Sequence, residues 1–97
     1  MASWDELTDE LIAVVADCRG ADSEDARNLN LICEGDVGAA CECAISTIAW
    51  YGIIVPERII EMTRELCADA RDFTEYNELM ESQEEARRAV GPPTSEG

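Results

Sequence analysis

Apolar residues return along this chain at intervals of three and four, the period of a helix with one buried side. The first stripe is Trp4, Leu7, Leu11, Val14, Val15 and Cys18, with Asp5, Glu6, Asp9, Glu10 and Asp17 off it or beside it. Ser3-Trp4-Asp5-Glu6 has capping-box form: the Ser3 hydroxyl can accept from the Glu6 amide while the Glu6 carboxylate accepts from the Ser3 amide. A helix is therefore predicted to start at Ser3 and to stop at Gly20, where left-handed backbone is cheap. Asp22 or Ser23 can cap a second helix, whose first turn holds Glu24 and Asp25 and whose buried side is Ala26, Leu29, Ile32 and Cys33. Gly35 ends it and Asp36 can cap a third almost at once, which predicts a tight corner.

The third helix, about Val37 to Tyr51, carries one acidic residue, Glu42, whereas every other helical segment is studded with carboxylates. It is the expected central helix, with Val37, Ala40, Cys41, Ala44, Ile45, Ile48 and Tyr51 as a broad apolar face and Gly52 as its stop. Ile53-Ile54-Val55 is β-branched and precedes a proline, so it favours extended backbone. A lone strand cannot complete a ladder, and the expectation is an extended linker. Pro56 suits the first position of a fourth helix, with Glu57 in its first turn and Ile59, Met62, Leu66, Cys67, Ala70 and Phe73 as its stripe. Thr74-Glu75-Tyr76 begins a fifth that runs through Leu79, Met80 and Ala86 towards Val90; its stripe is sparse, which predicts loose packing. Glu84 and Glu85 precede Arg87 and Arg88 at spacings that allow surface ion pairs worth about 0.3 kcal/mol each. The pattern as a whole predicts an all-α fold, a compact bundle of four to five short helices around a central apolar one. It forms a single domain over residues 1–90, with a disordered tail over 91–97.

Charge changes the picture from fold to function. Against 22 acidic residues stand seven basic ones, all arginine, and there is no histidine, giving a formal net charge of -15. Such a surface repels nucleic-acid phosphates and anionic lipid headgroups and steers cationic partners inward. Solubility alone would also account for acidity, so both readings stand on charge. The uncharged stretch from Cys43 to Pro56 is too short for the roughly 20 apolar residues of a membrane span and reads as core. The N-terminal Met-Ala-Ser-Trp-Asp-Glu has no basic flank leading into an apolar run, so the expected compartment is the cytoplasm.

Chemistry finds little support. Without histidine, the commonest general base and the Ser/His and Cys/His nucleophile pairs are excluded. The five cysteines, Cys18, Cys33, Cys41, Cys43 and Cys67, mostly suit apolar helical faces and read as reduced core thiols. Cys41-Glu42-Cys43 imitates a metal or redox motif, but residues two apart on a helix point about 200° apart and cannot hold one ion. Asp22, Glu24 and Asp25 lack the rest of a calcium loop, and no glycine pattern of a nucleotide site occurs. Neither a metal nor a cofactor is expected, and no enzyme activity. Trp50 and Tyr51, adjacent at the end of the third helix, cannot both face one core direction. Either they plug two sides of the core, or one is exposed as an interface anchor of the kind that dominates binding energy.

From Leu31 to Ile60, about a third of the chain, the residues resemble the small MafI-type immunity proteins that accompany bacterial polymorphic toxins. That pattern ends one helix on apolar residues, turns at Gly-Glu, enters a helix through Gly-x-Ala-x-Glu, and leaves through Ile-x-Ile or Ile-x-Val into an acidic helix. Leu31-Ile32, Gly35-Asp36, Gly38-Ala39-Ala40-Cys41-Glu42, Ile53-Ile54-Val55 and Pro56-Glu57 occupy those places. Asp36 stands where glutamate is usual, Ala39 where leucine is usual, and Pro56 where a serine cap is common. The resemblance implies an immunity protein that neutralises a cognate toxin by covering a basic active-site cleft. The candidate contacts are Glu34, Asp36 and Glu42 about the corner, Trp50 and Tyr51 as anchors, and Glu57 and Glu61 on the following helix. An acidic DNA mimic or adaptor that occupies a host protein's nucleic-acid site is the alternative, and a cysteine-based metal module or enzyme subunit is a third. Oligomeric state is left open.

Overall fold

A computed structural model describes residues 2–89; Met1, Val90 and the expected tail over 91–97 lie outside the described residues. The fold is all-α, with five helices: α1 (Trp4–Arg19), α2 (Glu24–Gly35), α3 (Val37–Tyr51), α4 (Glu57–Ala70) and α5 (Thr74–Ala89). Local chemistry sets most of these boundaries. Both halves of the Ser3/Glu6 capping box form, each at 3.1 Å. Ser23, and not Asp22, caps α2 by accepting from the Ala26 N–H at 3.2 Å. Asp36 serves two helices: its backbone N–H donates to the Ile32 carbonyl at 2.8 Å to close α2, and its Oδ1 accepts from the Ala39 N–H at 3.1 Å to open α3. Helices α2 and α3 therefore fold back on each other about one residue.

Helix α3 packs against α1, α2 and α5, while α4 is held by α1 and α5. The central position expected of α3 follows from its composition, since Ala40, Cys41, Ala44, Ile45 and Ile48 are all buried. Several expected core positions move by a residue or two. In α1 the buried set is Leu7, Thr8, Leu11, Ile12 and Val15, whereas Trp4 and Val14 are half-buried and Cys18 is exposed. In α2 only Ala26 and Leu29 are fully buried; Ile32 and Cys33 are half-buried. Pro56 is the residue before α4 and not its first member, because its ψ of 150° keeps the backbone extended; its carbonyl accepts from the Ile59 N–H at 3.0 Å. Helix α4 ends at Ala70 because Arg71 turns into the left-handed region, φ 61°, so Ala70 and Phe73 do not extend its buried stripe. Phe73 lies in the connection, 42 % exposed and edge-on to Tyr76 with ring centres 6.1 Å apart.

Helix α5 is seated firmly, against the expectation of loose packing. Its sparse apolar residues, Leu79 and Ala86, are supplemented by buried Ser82 and Gln83. The linker between α3 and α4 is extended as expected, with Ile53 and Val55 in the core and Ile54 46 % exposed. Extended backbone with no strand beside it leaves its N–H and C=O groups without partners. Gln83 supplies both: its Oε1 accepts from the Val55 N–H at 2.9 Å and its Nε2 donates to the Ile53 carbonyl at 2.9 Å. One side-chain amide thus stands in for a neighbouring strand and fastens α5 to the linker.

Gln83→Ala strands both backbone groups and opens a cavity, so it is expected to lower stability by about 3 kcal/mol, measured by urea unfolding. Thr8 is also fully buried, yet its Oγ1 has no hydrogen-bond partner of ordinary geometry, with the soft Cys41 thiol beside it. Thr8→Val is accordingly expected to raise stability by about 1 kcal/mol in the same assay.

Candidate partner-binding groove

The outward side of α3 is built from Glu42, Cys43, Ser46, Ala49 and Trp50, which recur at helical spacing and are all exposed. Only Glu42 among them is charged, an unusual surface for a chain of net charge -15. Trp50 ends the stripe at 83 % exposure, with no side-chain partner among the described residues. Its reading as a core plug is therefore corrected: the buried stripe of α3 ends at Ile48, and Trp50 projects on the opposite side.

Beside this face runs α5. A cleft of about 200 Å³ is lined by Ile45, Ser46 and Ala49 on α3 and by Glu78, Glu81, Ser82 and Glu85 on α5. A second cleft, about 400 Å³, is lined by Trp4, Asp5, Val37, Gly38, Cys41 and Glu75. Earlier residues of α3 meet earlier residues of α5 in one cleft, and later meet later in the other. The two helices thus run side by side in the same direction, and the seam between them has a wall of Glu75, Glu78, Glu81 and Glu85 along about 15 Å of α5.

The two ends of the seam differ electrically. Apart from Cys41, the 400 Å³ cleft is lined by first-turn residues of α1, α3 and α5, where each helix terminus presents about half a positive charge to Asp5 and Glu75. At the other cleft, Glu78, Glu81 and Glu85 lie in the body of α5 and face no such compensation. Among the described residues the ion pairs are Arg19–Asp25, Arg58–Glu10, Arg64–Glu61 and Arg88–Glu84, and none uses a seam glutamate. Nor does α3 carry a basic residue in its last turn. Arg19 of α1 reaches its C-terminal end and is already engaged: its guanidinium lies 4.0 Å over the Tyr51 ring and its Nε is 3.6 Å from Asp25 Oδ2. The Tyr51 hydroxyl donates to the same Asp25 oxygen at 3.0 Å. Tyr51, 39 % exposed, is therefore not part of the core, which corrects its place on the expected apolar face; it braces the end of α3 against α1 and α2.

The seven residues singled out from sequence do not form one site. Glu42 and Trp50 share the outer face of α3. Glu34 and Asp36 are exposed at the α2–α3 corner, where Asp36 commits one oxygen to its cap. Glu57 and Glu61 are exposed on α4, whose backbone does not come close to α3, and Glu61 binds Arg64 at 2.7 Å. Sequence reasoning missed the α5 glutamates, although their spacing of three, three and four was legible, because carboxylates along a helix read equally well as a solvated face.

The thiols offer no reactive centre in the core. Burial pushes the Cys41 thiol up to about 11, the fully buried Thr8 hydroxyl beside it offsetting a little and Glu75 adding to the rise. Burial likewise raises Cys67, helped by Glu75 and Asp72, and raises Cys33, helped by Asp9, Asp5 and Glu34. Cys41 is buried while Cys43, two residues on, is exposed, so the pair cannot converge on one ion. Cys18 and Cys43 are both exposed, which corrects their reading as core thiols. Among the described residues no helix is long and apolar enough to cross a membrane, and no three Cys, Asp or Glu side chains gather to hold a metal ion. No family model, curated protein or solved structure matches this chain.

Iodoacetamide at neutral pH is expected to modify Cys18 and Cys43 in the native protein and to reach Cys41 and Cys67 only on unfolding, read by peptide mass mapping. Because folding holds the Cys41 thiol above its ordinary value of 9.0, the folded state keeps a proton that the unfolded chain releases. Stability from this group is full below pH 9 and is lost as the pH rises towards about 11; Cys41→Ala should flatten that decline.

Proposed function

We propose that this protein neutralises a basic toxin by binding it, as an immunity protein does, and that the α3–α5 groove with Trp50 is its principal contact. One observation carries this reading: a row of glutamates without ion pairs among the described residues borders a helix face that carries Glu42 as its one charge and ends in a bare tryptophan. Carboxylates alone would serve solubility. An exposed aromatic next to them serves recognition, since a large ring in water gains most when a partner covers it. Toxins that act on nucleic acids hold phosphate with arginine and lysine, and a carboxylate row complements the same field. The resemblance between Leu31 and Ile60 points the same way, because it covers α3 and the corner that positions it.

The arrangement also separates recognition from solubility by a thermodynamic signature. Like charges three or four residues apart on a helix destabilise it by about 0.2–0.5 kcal/mol per pair. A Glu78→Gln, Glu81→Gln, Glu85→Gln variant is expected to melt slightly higher than the parent and yet to bind worse.

The test is co-expression with the polypeptide encoded beside this chain. The parent protein should protect cells from it. The triple glutamine variant should associate about tenfold more slowly at low salt, with a weaker dependence on ionic strength. Trp50→Ala should weaken the complex about thirtyfold by faster dissociation, as expected for a central anchor. Absence of protection by the parent sinks the immunity reading, and capture of many unrelated DNA-binding proteins in place of one neighbour-encoded partner replaces it with DNA mimicry.

A further inference from the structure

We infer that the occupant of the α3–α5 groove is a single α-helix of the partner, carrying arginine or lysine along one edge at positions i, i+3 and i+7. The inference rests on the reading of this groove as a contact for a basic protein and specifies the shape of what enters it.

Three features select a helix. The first is register. Glu78, Glu81 and Glu85 recur after three and then four residues, so they span about 10.5 Å along α5, the same rise that separates i and i+7 on any second helix laid beside it. Three same-side residues of an extended strand would span about 13 Å, and same-edge residues of a polyproline helix fall about 9 Å apart, so neither keeps step with the row. The second is the backbone. Both walls of the groove are helices, whose interior N–H and C=O groups are already paired along their own axes. An extended peptide would find no sheet edge to join, and its own backbone groups would be covered without partners. A helix brings its backbone bonds with it. The third is relief. Besides its glutamates and Ile45, the groove is lined by Ser46, Ala49 and Ser82. All are small, so a visiting helix can approach to the short end of the usual 8–10 Å interaxial range. Trp50, one turn beyond Ser46 on the same side, then stands at the groove's end where it can cover the visitor's last apolar turn.

Charge complementarity identifies the edge residues. The wall is anionic and none of its members is paired within the described chain, while the α3 side opposite is neutral apart from Glu42. The visitor must therefore be two-faced: cationic towards α5 and small or apolar towards α3. A second copy of this chain is a poor occupant, since it would bring another net charge of -15 against the row.

The probe is a short alanine-based peptide with three arginines at i, i+3 and i+7. One control has the same arginines spread round the helix, and a second has the edge pattern interrupted by proline. Each is titrated at low ionic strength into isotopically labelled protein, following the amides of Ser46, Ala49 and Ser82 and the Trp50 indole. The edge peptide should bind about tenfold more tightly than either control, shift those four signals, and lose its advantage against the folded Glu78→Gln, Glu81→Gln, Glu85→Gln variant. Equal affinity for the three peptides, shifts centred on Glu34 and Asp36 or on Glu57 and Glu61, or undiminished binding by the variant overturns the proposal. If the peptides discriminate as expected while cells remain unprotected, the immunity reading fails and the helix-binding groove stands. Protection of cells without discrimination among the peptides removes the helix-binding groove and leaves the immunity reading in place.

Discussion

A chain with three carboxylates for every guanidinium can close into a bundle only if the charges stay on the outside of something that carries almost none. That something is α3. It bears one carboxylate in fifteen residues, buries five positions and is embraced by three other helices, so each of those helices can keep its acidic side in water. Small residues make this geometry possible. Ala40 and Ala44, both fully buried, let α1 and α2 approach closely, and the Asp36 double cap fixes the angle at which α3 enters. The same feature that makes α3 a good centre leaves its outward side with Glu42 as its one charge, because a helix with little charge anywhere has little to place on its solvent face.

Helix α5 poses the opposite problem. It is too polar to be held by burial alone, and Leu79 and Ala86 are its only fully buried apolar residues. Gln83 resolves this by joining two deficits. The linker needs one acceptor and one donor, the helix needs an anchor, and a single amide supplies both within 2.9 Å. With α5 fixed at that point, the glutamates on its α3-facing edge are held in register beside Ser46 and Ala49. The groove is thus a consequence of a buried polar contact and not of the apolar pattern.

This explains which parts of the molecule could be read from the residues. Caps and stops were legible where the signal is local: Ser3 with Glu6, Ser23, Asp36, Gly20 and Gly52 act on backbone groups within four residues of themselves. The end of α4 was not, because Arg71 adopts a left-handed turn that nothing in its side chain announces, and Asp72 starts α5 by accepting from the Thr74 N–H at 3.1 Å. Thr8, Ser82 and Gln83 were overlooked as interior residues since a hydrophobic stripe does not register polar groups, and the partners of Gln83 lie about thirty residues away in sequence. Trp50 was legible only as a pair of choices. Adjacency to Tyr51 showed that the two must diverge, but which one is braced was decided by Arg19 and Asp25, on two other helices, and both rings stay exposed.

The brace about Tyr51 also bears on why Trp50 stays bare. Arg19 reaches the end of α3, and a cation over an aromatic face is worth about 0.5–1 kcal/mol at an exposed site. Over Tyr51 it gains Asp25 as well, an anion that the Tyr51 hydroxyl holds in place at 3.0 Å, so three weak contacts reinforce one another there and none is left for Trp50. These contacts tie the end of α3 to α1 and α2, so the backbone that carries Trp50 is held although the exposed indole is not. On the reading proposed above, the seam glutamates, which form no ion pair among the described residues, and the exposed Trp50 are what a cationic partner would cover.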